Sequence, residues 1–234
     1  MVAVKKEEAR ACPSCGWPLV KGFPPLEVSV DGTLAVINNV PGWICRGCGE
    51  VVRDLEDIME AKAVVRLDRL GLYPNDLPAA LMLFAPSSGK QTTPIPGKTV
   101  FQKLLWYFVQ QTESHPSLPR PQFIPMQLGP WDPNLDRRLS RFRAAGLLQE
   151  KARIGPDQKE YFEYALSPEG IRKLGVVWDS VPRSVKEVAS QVKSQLGGMN
   201  SKQIVDKVHH DYPEMWDKSR AERWAVTERT EENP

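Results

Sequence analysis

The sequence predicts an α+β protein, in which an N-terminal zinc ribbon is joined to a mainly helical, winged-helix-like domain. Three observations lead to this prediction. The four cysteines form two Cys-x2-Cys pairs with strand-like runs between them. Later segments have the order helix, helix, hairpin, helix. The chain has 234 residues, more than the usual single domain of roughly 100–150, so two modules are expected.

Residues 1–51 form the predicted ribbon. The runs LEVSV and TLAVINNV flank Asp31-Gly32, and an Asp-Gly pair between apolar runs is a strong hairpin signal. One cysteine pair lies at each end of this hairpin, which gives the order knuckle, hairpin, knuckle. Gly16 and Gly49 follow the second cysteine of each pair and admit the positive φ of a knuckle turn.

The cysteine spacing is typical of a closed, structural zinc site. Two residues between thiolates let one tight turn place both sulfurs on an ion at about 2.3 Å, and two such turns complete a tetrahedron. The alternatives are a thioredoxin-like redox pair, which would need a βαβ context, and unrelated free thiols. We expect one zinc ion, without an open position for catalysis, bound by Cys12, Cys15, Cys45 and Cys48.

The segments CPSCG and NNVPGWICRGCGEVV resemble the YgiT-type (MqsA-like) zinc finger of bacterial and archaeal antitoxins. The similarity covers about residues 11–70, and Val40-Pro41 and Gly49-Glu50 fall at the places of that motif. It implies a toxin-contacting or regulatory module and not an enzyme.

A connecting helix is expected at 52–72. Its apolar face is predicted to comprise Leu55, Ile58, Met59, Ala63 and Leu67. Five prolines then mark residues 73–97 as a linker, although LPAALMLFA at 77–85 is too apolar to be fully solvated.

The second module is expected at 98–215. TVFQKLLWYFVQQT has helical periodicity. Asp132 and Pro133 can cap and begin the helix NLDRRLSRFRAA, and Gly146 can end it. LLQEKARI and KEYFEYALS predict a wing-type hairpin. Further helices are expected after Ser167-Pro168-Glu169 and at about 183–196 and 201–211, and residues 216–234 form a charged tail.

This module resembles the Panacea (SocA-like) antitoxin domain over about residues 98–215. The matching positions are Gln102-Lys103-Leu104-Leu105, Gly129-Pro130, Gly146-Leu147-Leu148 and the run from Tyr164 to Gly170. The resemblance implies that the domain neutralises a toxin. The helix-turn-helix of the MqsA-like family is not found, so promoter binding is not carried over residue by residue.

The candidate DNA-binding residues lie on the middle helix and on the first strand of the hairpin. They are Arg137, Arg138, Arg141, Arg143 and Lys151. Leu135, Leu139 and Phe142 are expected to point inward, which leaves guanidinium groups on an exposed face that could hold phosphates or read guanine edges. The alternative is a solvated helix face.

Composition limits the remaining functions. Lys and Arg number 31 against 29 for Asp and Glu, so any DNA-binding surface must be a local patch. No run approaches the ~18–20 apolar residues of a membrane span, and the charged N-terminus lacks the apolar core of a secretory signal. We therefore expect a cytoplasmic protein without a membrane partner. No nucleophile–base arrangement can be argued, because all four cysteines are committed to metal.

The predicted function is that of a non-catalytic antitoxin or transcription regulator. Its partners would be a cognate toxin protein and double-stranded DNA. Such regulators are often homodimers, although no heptad repeat marks an interface here. The alternative is a zinc-ribbon adaptor subunit of a larger transcription or defence assembly, without DNA specificity of its own.

Overall fold

The computed structural model describes residues 10–87, 92–115, 117–155, 158 and 160–216. Within these residues the protein is α+β, as predicted, with seven α-helices and three small antiparallel sheets. The predicted tail at 216–234 and the tip of the predicted wing lie almost wholly outside the described residues.

The N-terminal module contains two sheets where a single hairpin was expected. Its strands are β1 (Leu19–Gly22), β2 (Leu26–Val30), β3 (Thr33–Ile37), β4 (Gly42–Cys45) and β5 (Val51–Val52). Strands β1, β4 and β5 form the cysteine sheet, in the order β1-β4-β5, while β2 and β3 form a separate hairpin. Asp31 and Gly32 have φ angles of 48° and 78°, so the predicted tight turn is confirmed.

Helix α1 (Leu55–Asp68) links this module to the rest of the protein. Ala63 and Leu67 are fully buried, as the predicted apolar face requires. Leu55 is 70% exposed, so that part of the prediction is wrong. Leu55 is the first helical residue, where the chain leaves the cysteine sheet and has not yet reached the core.

Residues predicted as a linker contain a core helix. Helix α2 (Leu77–Phe84) follows a 3-10 turn at Pro74–Asp76, and seven of its eight residues are buried. A helix that is apolar all round belongs inside a protein. Pro74 and Pro78 occupy the first turns of the two helices, where a missing N–H costs nothing, so they start structure here instead of breaking it.

The remaining elements follow the predicted order, except for the first of them, a short strand inside the predicted linker. They are β6 (Ile95–Pro96), α3 (Lys98–Gln111), α4 (Leu135–Ala144), β7 (Leu148–Ile154), β8 (Glu160–Leu166), α5 (Pro168–Ser180), α6 (Arg183–Leu196) and α7 (Ser201–Asp211). The sheet order is β6-β8-β7. The Ser167 hydroxyl accepts the Gly170 N–H at 2.8 Å, which confirms the predicted cap of α5.

Helix α4 begins two residues later than the Asp132-Pro133 pair predicts. Asn134 is the residue before its first turn, and Asp132 Oδ1 accepts the Asn134 N–H at 2.8 Å. Leu135, Leu139 and Phe142 point inward as expected. Gly146 follows the helix with a φ of 70°, in agreement with its predicted role.

One hydrophobic core runs from Ala63 in α1 to Met215 after α7. Helix α3 lies at its centre, and α1 packs on α5. The predicted boundaries at residues 72 and 98 therefore do not separate two cores. The N-terminal module has two small clusters of its own, one under the β2–β3 hairpin and one beside Cys12 and Cys45. No helix in the described ranges is long and apolar enough to cross a membrane.

Candidate metal centre

The four predicted ligands come together at one point. The Sγ atoms of Cys12, Cys15, Cys45 and Cys48 all lie within 4.8 Å of one another. Three of the separations are 3.3 Å for Cys15 to Cys45, 3.5 Å for Cys15 to Cys48 and 3.7 Å for Cys12 to Cys48. Thiolates bound at 2.3 Å around a tetrahedral ion are about 3.8 Å apart. The geometry is therefore compatible with one metal ion.

Each cysteine pair sits in a tight turn closed by the glycine that follows it. The Gly16 N–H donates to Cys12 O at 2.9 Å, and the Gly49 N–H donates to Cys45 O at 3.0 Å. Their φ angles are 74° and 79°, in the region that the sequence analysis expected glycine to supply. Both turns therefore depend on a conformation that a side chain would strain.

Backbone N–H groups favour the thiolate form of Cys45. The amides of Cys48 and Gly47 point at its Sγ atom from 3.4 Å and 3.3 Å. These hydrogen bonds, the Cys48 amide first, hold the pKa of the Cys45 thiol at about 6. A thiol that ionises this readily is prepared for a cation, because the thiolate is the metal-binding form.

Two of the four cysteines are buried and the other two face solvent. Cys12 and Cys45 are buried against the cysteine sheet, whereas Cys15 and Cys48 are exposed. Glu50, which follows the second pair, lies with Oε2 3.3 Å from Cys12 Sγ. The Ser14 hydroxyl and then Cys12 lower the pKa of the Glu50 carboxyl, so it stays charged beside the sulfurs.

Sequence reasoning missed the contact between Trp17 and Gly47. A Cβ atom at Gly47 would lie 2.8 Å from Trp17 Cγ, so only glycine lets the indole pack against the second knuckle. Nothing in the spacing of the cysteines marks this pair, since the two residues are 30 positions apart.

The arginines of α4 do not share one exposed face, and this expectation is corrected. Arg138 is only 4% exposed and donates from Nε to Asp132 Oδ2 at 2.9 Å. Arg141 donates from Nε to Asp76 Oδ2 at 2.8 Å. Arg143 pairs with Glu150 at 2.9 Å. The partners lie outside the helix, where a rule based on neighbouring helical positions cannot find them.

Only Arg137 and Lys151 of the candidate DNA-binding residues are exposed without an acidic partner in the described part of the chain. The surrounding charges cancel in pairs, Lys98 with Asp136 and Arg153 with Glu163. The surface of α4 and of the β7–β8 hairpin is therefore nearly neutral.

Comparisons of the chain with protein-family models, with curated proteins and with solved structures give no match. The resemblances of the two modules to antitoxin families therefore stay predictions from their motifs.

Proposed function

We propose that the chain is a non-catalytic, antitoxin-type protein that binds a partner protein, its cognate toxin, through a zinc ribbon. The observation that carries the proposal is apolar exposure on the N-terminal module. Six of the thirteen exposed large apolar side chains in the described ranges belong to residues 10–55: Trp17, Phe23, Leu34, Val36, Val51 and Leu55. Single exposed apolar side chains are common on protein surfaces, whereas neighbouring ones on one face, such as Leu34 and Val36, are typical of a protein-binding surface.

The outer face of β3 is the clearest part of this surface. Leu34 and Val36 are 67% and 59% exposed, and they stand opposite Ser29 and Glu27 of β2. Strand β3 has no charged residue, and among the described residues it pairs only with β2. Soluble proteins usually protect such an edge with charge or proline, so its apolar character supports a role in binding.

Zinc is the metal that this donor set suits best. Four thiolates in a tetrahedral arrangement leave no open coordination position, which supports a structural role over a catalytic one. In the described ranges the cluster beside Cys12 and Cys45 has one further buried residue, Leu19, and is too small to hold the cysteine sheet together. The ion would therefore supply the folding free energy of the sheet.

DNA binding is the second candidate function. The elements follow the order α2, β6, α3, α4, β7, β8, and β8 lies between β6 and β7 in the sheet. This order supports a winged-helix interpretation, in which α4 takes the place of the DNA-recognition helix. Phosphate binding requires free cationic side chains, and most of the arginines of α4 are paired. The charge distribution therefore favours a protein partner over DNA.

The direct test is co-expression with the product of the neighbouring gene. We expect growth rescue from a toxic neighbour and co-purification of the two proteins. The double variant Leu34→Asp/Val36→Asp should weaken binding by about 2 kcal/mol, roughly 30-fold, because it places charge in the apolar contact.

The control is Ile171→Asp/Val176→Asp on α5, where both side chains are also exposed, at 44% and 46%. Equal affinity in the ribbon variant and the wild type would refute the proposed surface. Binding to the neighbour without growth rescue would favour the adaptor function over the antitoxin.

A further inference from the structure

A second cluster of ligand-type side chains lies where α1 passes the segment after α3. His115 Nδ1 is 3.0 Å from Glu60 Oε1 and 3.9 Å from Glu56 Oε2. The third carboxylate, Asp57, accepts a hydrogen bond from the Ser117 hydroxyl. Glu56 and Glu60 are one helical turn apart, so their side chains leave the same face of α1.

Glu60 carries a polar atom that this environment leaves unsatisfied. Its side chain is 1% exposed, and Oε2 has no hydrogen-bond partner. A buried carboxylate oxygen without a donor is costly, and a buried carboxylate charge needs a cation or a proton. In the described part of the chain no lysine or arginine forms an ion pair with Glu56, Asp57 or Glu60.

We propose that His115, Glu60 and Glu56 form a second metal site, which takes a divalent transition cation such as zinc. One imidazole nitrogen with carboxylate oxygens is a donor set that these cations bind. Metal bonds of about 2.1 Å place neighbouring donors roughly 3.0–3.4 Å apart, close to the separation of Glu60 Oε1 and His115 Nδ1. A cation on the Glu60 carboxylate would also balance its buried charge.

The exposed Glu56 closes the site when the cation binds. Its side chain is 56% exposed and is held at Oε1 by the Ser184 hydroxyl at 2.9 Å. The cysteines are the only group of three or more potential ligands in the described ranges whose atoms already lie within 4.8 Å of one another. Glu56 must therefore rotate inward, which makes the second site weaker than the first.

Protonation competes with the cation at this site. Burial, with Asp57 and Glu56 adding to it and a hydrogen bond from Ser117 opposing it, raises the pKa of Glu60 to about 8. A cation at the second site takes the place of that proton. When occupied, it ties α1 to the segment between α3 and α4 and so fixes the N-terminal module on the core.

The test is equilibrium dialysis of the untagged full chain against zinc, with metal counted per chain. We expect a second equivalent beyond that of the cysteines. Glu56→Gln and His115→Gln should each lose this equivalent and keep the first. Glu56 is exposed, so its variant tests the site without disturbing the core. Glu169→Gln, at a half-buried glutamate on α5 outside the cluster, is the control and should keep both.

Cobalt distinguishes the two sites by spectrum. The first equivalent should give thiolate-to-cobalt charge transfer, and the second should add absorption without it, because its donors are nitrogen and oxygen. One equivalent in the wild type would show that the cluster holds only a proton and would overturn the proposal. Retention of the second equivalent in both Glu56→Gln and His115→Gln would overturn it equally.

Discussion

Arg141 of α4 donates to Asp76, a carboxylate with no exposed surface, across a distance of 2.8 Å between Nε and Oδ2. Arg138 approaches the same carboxylate from 3.2 Å and also binds Asp132. Two of the candidate DNA-binding arginines thus join α4 to the turn before α2. Both side chains therefore form ion pairs within the protein, and these ion pairs hold the start of α2 against α4.

This network predicts a large loss of stability for Asp76→Asn. The substitution keeps the shape of the side chain but leaves the buried Arg138 without its full counter-charge. We expect the free energy of unfolding to fall by about 3–5 kcal/mol, the usual result of breaking a buried ion pair. Urea denaturation of the variant and the wild type at neutral pH measures this loss of stability.

Asp136→Asn provides the control for that prediction. Asp136 is 63% exposed and pairs with Lys98 on the surface, so its loss should cost less than about 1 kcal/mol. If the two variants lost equal stability, the Asp76 network would not have the energetic role that its burial implies.

The neutral surface around α4 predicts weak, non-specific binding to duplex DNA. At about 150 mM salt we expect no preference for the upstream region over a random duplex in a gel shift. Arg137→Ala/Lys151→Ala should weaken the residual binding for every sequence. The slope of log affinity against log salt concentration should fall by the amount expected for about two lost phosphate contacts. Sequence-specific binding that disappears in Arg137→Ala alone would contradict this prediction.

Local sequence signals predicted local structure well. The Asp31-Gly32 turn, the glycines after each cysteine pair and the Ser167 cap each depend on a few neighbouring residues, and all are present. The cysteine cluster was also predictable, because its ligand spacing encodes the geometry of the ion. The turns and the cap depend on residues close in sequence, whereas the cysteine cluster joins two pairs that are 30 or more positions apart but share a recognisable local spacing.

Long-range packing was not predictable in the same way. The prolines around α2 suggested a linker, but the helix is stabilised by a core assembled from α3, α5 and α6. Arg141 meets Asp76 across 65 positions and His115 meets Glu60 across 55. No periodicity in the sequence marks such pairs, because the tertiary fold alone brings them together.

Buried Lys193 predicts stability that rises with pH. The residue is 1% exposed, and its Nζ donates to Leu83 O at 3.0 Å, at the end of α2. Burial lowers its pKa from 10.5 to about 7. Between these values the unfolded chain holds a proton that the folded chain has released, so the free energy of unfolding increases with pH. Below pH 7 both states are protonated and the contribution is constant.

Lys193→Met should remove most of this dependence. Near neutral pH we expect it to stabilise the protein by about 1–4 kcal/mol, because an apolar chain of similar length fills the site without a charge to desolvate. Lys103, whose pKa burial lowers to about 8, should leave a dependence over a narrower pH range that begins near pH 8. Urea denaturation at several pH values measures the effect, with the exposed Lys202→Met as control. An unchanged slope would mean that Lys193 is not the source.

Metal removal should unfold the cysteine sheet and leave the main core intact. The core that runs from α1 to α7 contains none of the four cysteines, whereas the cluster beside them has one further buried residue. Structural zinc sites contribute about 10–16 kcal/mol in small modules, far more than such a cluster can replace. Hydrogen exchange with and without a chelator should therefore show lost protection in β1 and β4, and retained protection in α3.

Cys15→Ser should reproduce the chelated state and respond no further to chelator. Loss of protection in α3 as well would show that the sheet and the core fold as one unit.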